Sequence, residues 1–69
     1  MKITYDKIAN AAYLYLKKAQ KVTKTLPVSD DIIIDLDAKG GVLGIEILNA
    51  SKNIDVNDLS TADFKLLQA

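Results

Sequence analysis

Two β-branched stretches around a glycine turn decide the fold of this chain: DIIIDLD at residues 31–37 and VLGIEIL at residues 42–48, joined by AKGG at residues 38–41. Isoleucine and valine favour strands, and a short glycine-containing connection between two such runs is typical of a β-hairpin. Gly40 and Gly41 provide the positive φ that a four-residue or bulged loop requires. The sequence therefore predicts an antiparallel hairpin over this whole stretch.

The register of the hairpin follows from its hydrophobic pattern, because a shift by one residue would move every side chain to the opposite face. Pairing Ile34 with Ile45 and Asp35 with Gly44 gives one wholly aliphatic face and one mixed face. The aliphatic face then carries Ile32, Ile34, Leu36, Leu43, Ile45 and Ile47. The mixed face carries Ile33, Asp35, Asp37, Val42, Gly44, Glu46 and Leu48.

Gly44 is the informative small residue of the second strand. A glycine inside a strand weakens it, and usually marks a bulge or the close approach of a large group. We expect the ring of Tyr13 or Tyr15, from this chain or from a neighbouring one, to stack over Gly44.

The segments before the hairpin are shorter and less uniform. Residues 22–26 alternate apolar and polar side chains and predict a further strand, and residues 2–5 predict a short one. Pro27 cannot donate to a ladder, so it marks a strand end, a bulge or an edge. Residues 8–20 contain strong helix formers with a helical stripe, whereas residues 12–16 form an aromatic and aliphatic run that suits a strand packed on both faces. Periodicity leaves both readings of this segment open.

The C-terminal part of the chain contains turn and helix signals. Residues 49–51 predict a turn that ends the preceding strand, with the side chains of Asn49 and Ser51 bonded to local backbone. Residues 53–60 suggest a turn or a single helical turn. Residues 60–67 suggest a short capped helix, which Phe64 and Leu67 would hold by packing.

Four of these segments together resemble a known family. They are Tyr5-Asp6, Ala9–Leu14, Ile34–Asp37 and Gly44–Ser51. From Ile3 to about Ser51 the chain resembles the domain of unknown function family 2283, which consists of small, mostly bacterial proteins with no established activity. The resemblance implies that residues 12–16 form a strand. It also implies an α+β fold: a small antiparallel sheet of about four to five strands, built from hairpins, with a short C-terminal helix.

The resemblance also bears on the extent of the domain and on one polar position. We expect a single domain over residues 1–69, with a family-like core at residues 3–51 and a C-terminal turn or helix at residues 52–69. Asn10 stands where the family pattern usually has an acidic residue, so any role of that acid is absent from this chain.

The composition excludes much enzyme chemistry. The chain has no His, no Cys and no Trp, and its nine basic residues are all Lys. An imidazole base, a thiolate, a His/Cys zinc site and a guanidinium clamp for phosphates are therefore all missing. The formal net charge of zero disfavours nucleic acid as a partner. Neither a signal-peptide pattern nor an apolar run of about 18 residues is present, so the sequence predicts a cytoplasmic protein that does not enter the membrane.

Three strand carboxylates are the candidate site for other chemistry. Asp35, Asp37 and Glu46 would lie on one face of adjacent strands, where oxygen ligands hold Mg²⁺, Mn²⁺ or Ca²⁺ or perform acid–base work. The competing interpretation is a solvated face, with Asp37 starting the turn through its side chain. Similarly, Tyr5, Tyr13 and Tyr15 suggest either an aromatic platform for single-stranded bases or packing at a core or interface.

Size favours a function in protein association. A domain of this length buries only about 60% of the surface that its unfolded chain exposes. Without disulfides or a structural metal, oligomerisation is the remaining stabilising device. The leading hypothesis is a non-enzymatic interaction module that forms a homodimer and binds no cofactor, with another protein as a further partner. Its predicted interface residues are Tyr13, Tyr15, Ile32, Ile34 and Phe64. The alternative is a metal-binding or small-ligand-binding domain, or a weak hydrolase, built on the three carboxylates.

Overall fold

The computed structural model describes residues 2–18 and 21–55, which form a five-stranded antiparallel sheet followed by a helical turn. The elements are β1 (Lys2–Asp6), β2 (Ala11–Tyr15), β3 (Lys24–Pro27), β4 (Ile32–Leu36), β5 (Val42–Leu48) and α1 (Ala50–Asn53). The strand order across the sheet is β1-β2-β5-β4-β3. The predicted α+β class is confirmed. The helix predicted at residues 60–67 lies outside the described residues.

The segment with two readings is a strand. β2 pairs with β1 on one side and with β5 on the other, antiparallel in both cases. Tertiary pairing therefore overrides the helical propensity of its alanine and leucine residues, because two neighbouring strands satisfy its backbone. The pairing of β2 with β5 also joins the N-terminal hairpin to the meander β3-β4-β5.

The predicted hairpin register is confirmed, with Ile34 opposite Ile45 and Asp35 opposite Gly44. The register shifts after this point, so that Leu36 lies opposite Val42 and Leu43 is the extra residue of a bulge. The Leu43 carbonyl accepts hydrogen bonds from the backbone N–H groups of Leu16 and Lys17 at 2.9 and 3.3 Å. The assignment of Val42 to the mixed face is therefore wrong, because the bulge places it beside Leu36.

The two edges of the sheet are β1 and β3. The predicted strand at residues 22–26 is observed slightly later, as β3, and Pro27 is its last residue. Pro27 thus occupies a strand end on an edge, as its missing N–H requires. All four residues of β3 are exposed, whereas exposed and partly buried residues alternate along β1.

Antiparallel pairing divides the connections between the two ends of the sheet. One end, which we call the glycine end, holds the β4–β5 turn and the backbone that leaves β2. Asp37 forms that turn as predicted: its Oδ1 accepts from the backbone N–H groups of Lys39 and Gly41 at 2.9 and 2.8 Å. Gly40 has the expected positive φ of 82°. The other end, the asparagine end, holds the turns at residues 7–10 and 28–31 together with α1.

The sheet has one aliphatic face, on which the register aligns side chains from all five strands. They are Ile3, Tyr5, Ala12, Leu14, Leu26, Ile32, Ile34, Leu36, Val42, Ile45 and Ile47, and the same register adds Lys24 at the glycine end of β3. Ala12 is buried, but the larger aliphatic side chains of this face remain partly or well exposed. Among the described residues, the buried apolar residues are Ala12, Leu43 and Ala50. The described part of the chain therefore buries few apolar side chains, and most of the aliphatic face stays partly exposed.

Candidate functional site

The face opposite the aliphatic one carries a tyrosine cluster, which we define as Tyr13, Tyr15, Asp35 and Gly44. Tyr13 extends from β2 across β5 and donates its hydroxyl proton to Asp35 Oδ2 on β4, with an O–O distance of 2.6 Å. The rings of Tyr13 and Tyr15 are tilted by 55° with centroids 4.6 Å apart. Lys2 Nζ lies 5.2 Å from the centroid of the Tyr15 ring, within cation–π range.

Gly44 makes this crossing possible. A Cβ built at residue 44 would lie 2.7 Å from Tyr13 Cζ, closer than carbon atoms pack without displacement. The expectation that a tyrosine ring covers Gly44 is therefore confirmed, and the ring is that of Tyr13 from the same chain. The glycine allows the hydroxyl to reach a carboxylate two strands away.

Asp35 is the buried carboxylate of the cluster, with 8% of its surface exposed. A buried carboxylate is costly unless it accepts hydrogen bonds, and the Tyr13 hydroxyl provides a short one. Burial, followed by the bond to Asp35 and its negative charge, raises the pKa of Tyr13 from 10.0 to about 12. Tyr13 is therefore held as the neutral donor throughout the physiological range.

The structure places the three candidate metal ligands in different surroundings. Asp35 and Glu46 share the tyrosine face, where Asp35 bonds to Tyr13 and Glu46 lies opposite Tyr13 and Ile33. Asp37 lies beyond the end of β4, where the N–H of Gly41 lowers its pKa and Lys17 Nζ approaches to 3.6 Å. Across residues 2–18 and 21–55, no three acidic side chains converge into a group suited to a metal ion. A metal-binding role for these carboxylates stays a prediction from the sequence.

The predicted aromatic platform and interface are divided between the two faces. Tyr13 and Tyr15 lie on one face, while Tyr5 pairs with Ala12 on the aliphatic face. Ile32 and Ile34 belong to the aliphatic face too, so they cannot share one flat interface with Tyr13 and Tyr15. Phe64 lies outside the described residues.

A second polar cluster occupies the asparagine end, and we call it the asparagine network. Asn10 Oδ1 accepts from the Tyr5 hydroxyl and from the Ser51 N–H, both at 3.0 Å. Asn10 Nδ2 donates to Ser51 Oγ at 3.0 Å, and the Asn10 carbonyl accepts from the Ala50 N–H at 2.9 Å. One asparagine thus joins the β1–β2 turn to the start of α1.

Asp31 connects the β3–β4 turn to the same helix. Its Oδ1 accepts from Asn49 Nδ2 and its Oδ2 from Asn53 Nδ2, each at 3.0 Å. These amide donors, Asn53 first, together with the charge of Lys52 lower the pKa of Asp31. The carboxylate is therefore bonded in its ionised form, and it holds α1 against the neighbouring turn.

The asparagine network was not predicted, and one expectation about it is wrong. The side chains of Asn49 and Ser51 bond to Asp31 and Asn10 from distant turns and not, as expected, to local backbone. The signal in the sequence is a pair of Asn-Ala steps beside apolar runs. Both Asn10 and Asn49 have positive φ, 53° and 49°, a conformation that asparagine tolerates better than most residues. The neighbour of Ser51 Oγ is thus an amide, which does not act as a general base.

Comparison with known proteins places the chain in a family. Residues 2–51 match the model of a family described as "Protein of unknown function (DUF2283)". The chain belongs to this family. The DUF2283 match covers all five strands and the first residues of α1, and therefore both the tyrosine cluster and Asn10, Asn49 and Ser51. It also confirms the resemblance inferred from the sequence motifs.

A curated relative of this DUF2283 chain extends beyond it. The chain is 52% identical over 61 residues to the uncharacterized protein MJ0789 of Methanocaldococcus jannaschii. This match covers 86% of the chain but 51% of the relative, so the chain spans about half the length of that protein. No solved structure matches the chain. Within the part of the chain that the structure describes, no helix is long and apolar enough to cross a bilayer.

Proposed function

We propose that this protein is a non-enzymatic interaction module that forms a homodimer by covering its aliphatic face with the same face of a second copy. The observation that supports this most directly is that the large side chains of the aliphatic face, such as Ile34, Ile45 and Leu26, stay partly or well exposed. A sheet needs a second layer over its apolar face to form a core. In the proposed dimer, the aliphatic face of a second copy forms that layer.

The size of the face is consistent with a small interface. Neighbouring strands lie about 4.8 Å apart, and successive residues of a strand lie about 3.3 Å apart. A sheet of five strands with about five residues each therefore has a flat area of roughly 400 Å². Stable interfaces bury about 800 Å² of accessible surface on each partner, and a corrugated side-chain surface exceeds its flat projection. The face therefore approaches the lower end of the range for a specific dimer.

The chemistry of the polar clusters supports a structural role for them. Tyr13 and Asp35 satisfy each other on one face, and Asn10, Asp31, Asn49 and Ser51 bond across the asparagine end. These side chains fix the shape of the sheet and the position of α1. Another protein as an additional partner, and a cytoplasmic location, remain predictions from the sequence.

Sedimentation velocity of the purified protein at micromolar concentration tests the proposal, with Ile45→Lys as the disrupting variant. Ile45 lies on β5 at the middle of the aliphatic face. A charge placed there would be buried without a partner in the dimer, so the dimer should dissociate. The 7.5 kDa chain should sediment as an oligomer and the variant as a smaller species.

Two substitutions on β3 provide a matched pair. Leu26 is 45% exposed and lies on the aliphatic face, whereas its exposed neighbour Thr25 faces the other side. Leu26→Lys should weaken association while retaining the circular-dichroism spectrum of the sheet, and Thr25→Lys should change neither. Wild-type protein that sediments as a monomer, or Ile45→Lys and Leu26→Lys variants that assemble as well as wild type, would refute the proposal.

A further inference from the structure

The edge strand β1 pairs with a strand on one side only within the part of the chain that the structure describes. Its five residues pair with β2 in continuous register, and it contains neither a proline nor a bulge. Natural proteins usually protect such edges with proline, bulges or charges that repel a second strand. The opposite edge, β3, ends in Pro27 and follows that rule. β1 therefore has the character of an edge that accepts another strand.

The sequence of β1 is complementary to itself. In an antiparallel pairing centred on Thr4, Lys2 of one copy faces Asp6 of the other, and Ile3 faces Tyr5. Lys2, Thr4 and Asp6 are exposed on the tyrosine face, and Ile3 and Tyr5 lie on the aliphatic face. Every opposed pair thus joins side chains of the same face, and the two charged pairs have opposite signs, which favours cross-strand pairing. β3 offers no equivalent match, since pairing centred on Thr25 would set Lys24 against Leu26, and pairing centred on Leu26 would set Thr25 against Pro27.

We propose that β1 pairs antiparallel with β1 of a second copy about Thr4, giving a continuous ten-stranded sheet. This goes beyond the association through the aliphatic face, since it uses backbone hydrogen bonds at the sheet edge. The two-fold axis of such a pair is perpendicular to the sheet, so both aliphatic faces lie on the same side. The pairing doubles the apolar area that one assembly presents.

The present contacts of the two charged residues are compatible with this pairing. Asp6 receives the N–H groups of Ile8 and Ala9 on Oδ1, at 3.0 and 3.1 Å. Lys2 lies over the Tyr15 ring on the tyrosine face, the face on which the opposite Asp6 would stand. The two-fold operation brings each Lys2 ammonium toward the Asp6 carboxylate of the other copy without moving either strand.

A single cysteine tests the pairing, since the chain contains none of its own. Opposed residues of an antiparallel pair have Cα atoms about 4.5–5.5 Å apart, within the range that a disulfide spans. Under mild oxidation, Thr4→Cys should form a disulfide-linked dimer on the order of tenfold faster than Thr25→Cys, the matched exposed threonine on the other edge. Equal rates for the two variants would overturn the proposal.

Charge reversal provides a second readout that does not depend on oxidation. Lys2→Glu and Asp6→Lys each place like charges in both cross-strand pairs, and each should weaken edge association about tenfold. Mixing the two variants should restore it, because the glutamate introduced at position 2 then meets the lysine introduced at position 6. The other pair of the mixed dimer is the native one, Asp6 against Lys2. Failure of the mixture to recover, with both variants folded by circular dichroism, would overturn the pairing.

The background variant Ile45→Lys separates this proposal from association through the aliphatic face. Thr4→Cys combined with Ile45→Lys should still form the disulfide faster than Thr25→Cys in the same background. Loss of this preference would show that the edge does not pair by itself and would overturn the inference. An Ile45→Lys variant with unchanged assembly would instead refute the proposed function alone.

Discussion

The Tyr13 ring can lie against residue 44 because that residue is a glycine and has no side chain. The Tyr13 ring crosses β5 at a residue where no Cβ blocks its approach to Asp35. We expect Gly44→Ala to push the ring away and break its bond to the carboxylate, lowering the free energy of unfolding by about 1–3 kcal/mol. Denaturant unfolding measures this loss, and an unchanged midpoint would contradict it.

A double-mutant cycle with Tyr13→Ala isolates the contact. Once the ring is absent, the methyl group introduced at position 44 meets no obstacle from it, so Gly44→Ala should cost much less in that background. Additive effects of the two substitutions would mean that the cost arises from the strand backbone and not from Tyr13.

Because the pKa of the Tyr13 hydroxyl is raised on folding, we expect the protein to lose stability at high pH. Its pKa is raised from 10.0 to about 12 in the folded chain, so folding favours the neutral form. This contribution is fully present below pH 10 and is lost as the pH rises from 10 towards 12. The stability difference between the parent and Tyr13→Phe should therefore shrink over this interval. A difference that stays constant in urea unfolding across these pH values would contradict the assignment.

At the scale of elements, Asn10 links the β1–β2 turn to α1. Its side chain accepts from Tyr5 and Ser51, and its φ of 53° suits asparagine. Asn10→Asp keeps the acceptor, and the Ser51 hydroxyl can donate to the second oxygen, so stability should change by less than about 0.5 kcal/mol. Asn10→Ala loses both accepted bonds and adds backbone strain, and should cost about 2 kcal/mol or more.

Thermal unfolding of both Asn10 variants, with hydrogen exchange of the α1 amides, checks this link. Faster exchange at Ser51 and Lys52 is expected in Asn10→Ala alone. Equal stability of the two variants would show that the side chain does not hold the helix.

Some of these elements could be predicted from the sequence and others could not. The hairpin register was predictable because a shift by one residue would put Ile34 and Ile45 on opposite faces, and the short turn limits larger shifts. The bulge at Leu43 was not, because its carbonyl is fixed by N–H groups of residues 16 and 17, far away in the sequence. The hydrogen bond between Asn10 and Ser51 spans 41 positions, and nothing in the local sequence around a turn residue indicates so distant a partner. Local pattern specified the β4–β5 hairpin, whereas pairing with β1 and β5 decided β2, and long-range polar contacts specified the ends of the sheet.

On the scale of the whole molecule, the described sheet is held by many polar contacts but buries little of its apolar surface. Hydrogen bonds and ion pairs fix the tyrosine face and both ends, while the aliphatic face stays partly exposed. For so short a chain the missing burial is a large share of the marginal stability of a folded domain. Stability and assembly should therefore be coupled.

This coupling predicts a melting temperature that depends on protein concentration. If the folded chain is stabilised by a second copy over its aliphatic face, mass action raises the melting temperature as concentration increases. A hundredfold increase from the low micromolar range changes the free energy by about 2.8 kcal/mol per dimer, or about 1.4 kcal/mol per chain. Since 1 kcal/mol shifts a domain of this size by about 4–8 °C, the melting temperature should rise by about 5–10 °C. Ile45→Lys should melt at a lower temperature that depends less on concentration than that of the parent, whereas Thr25→Lys should behave as the parent does. A parent melting temperature that does not change with concentration would mean that the aliphatic face is covered within one chain, and would contradict the proposed dimer.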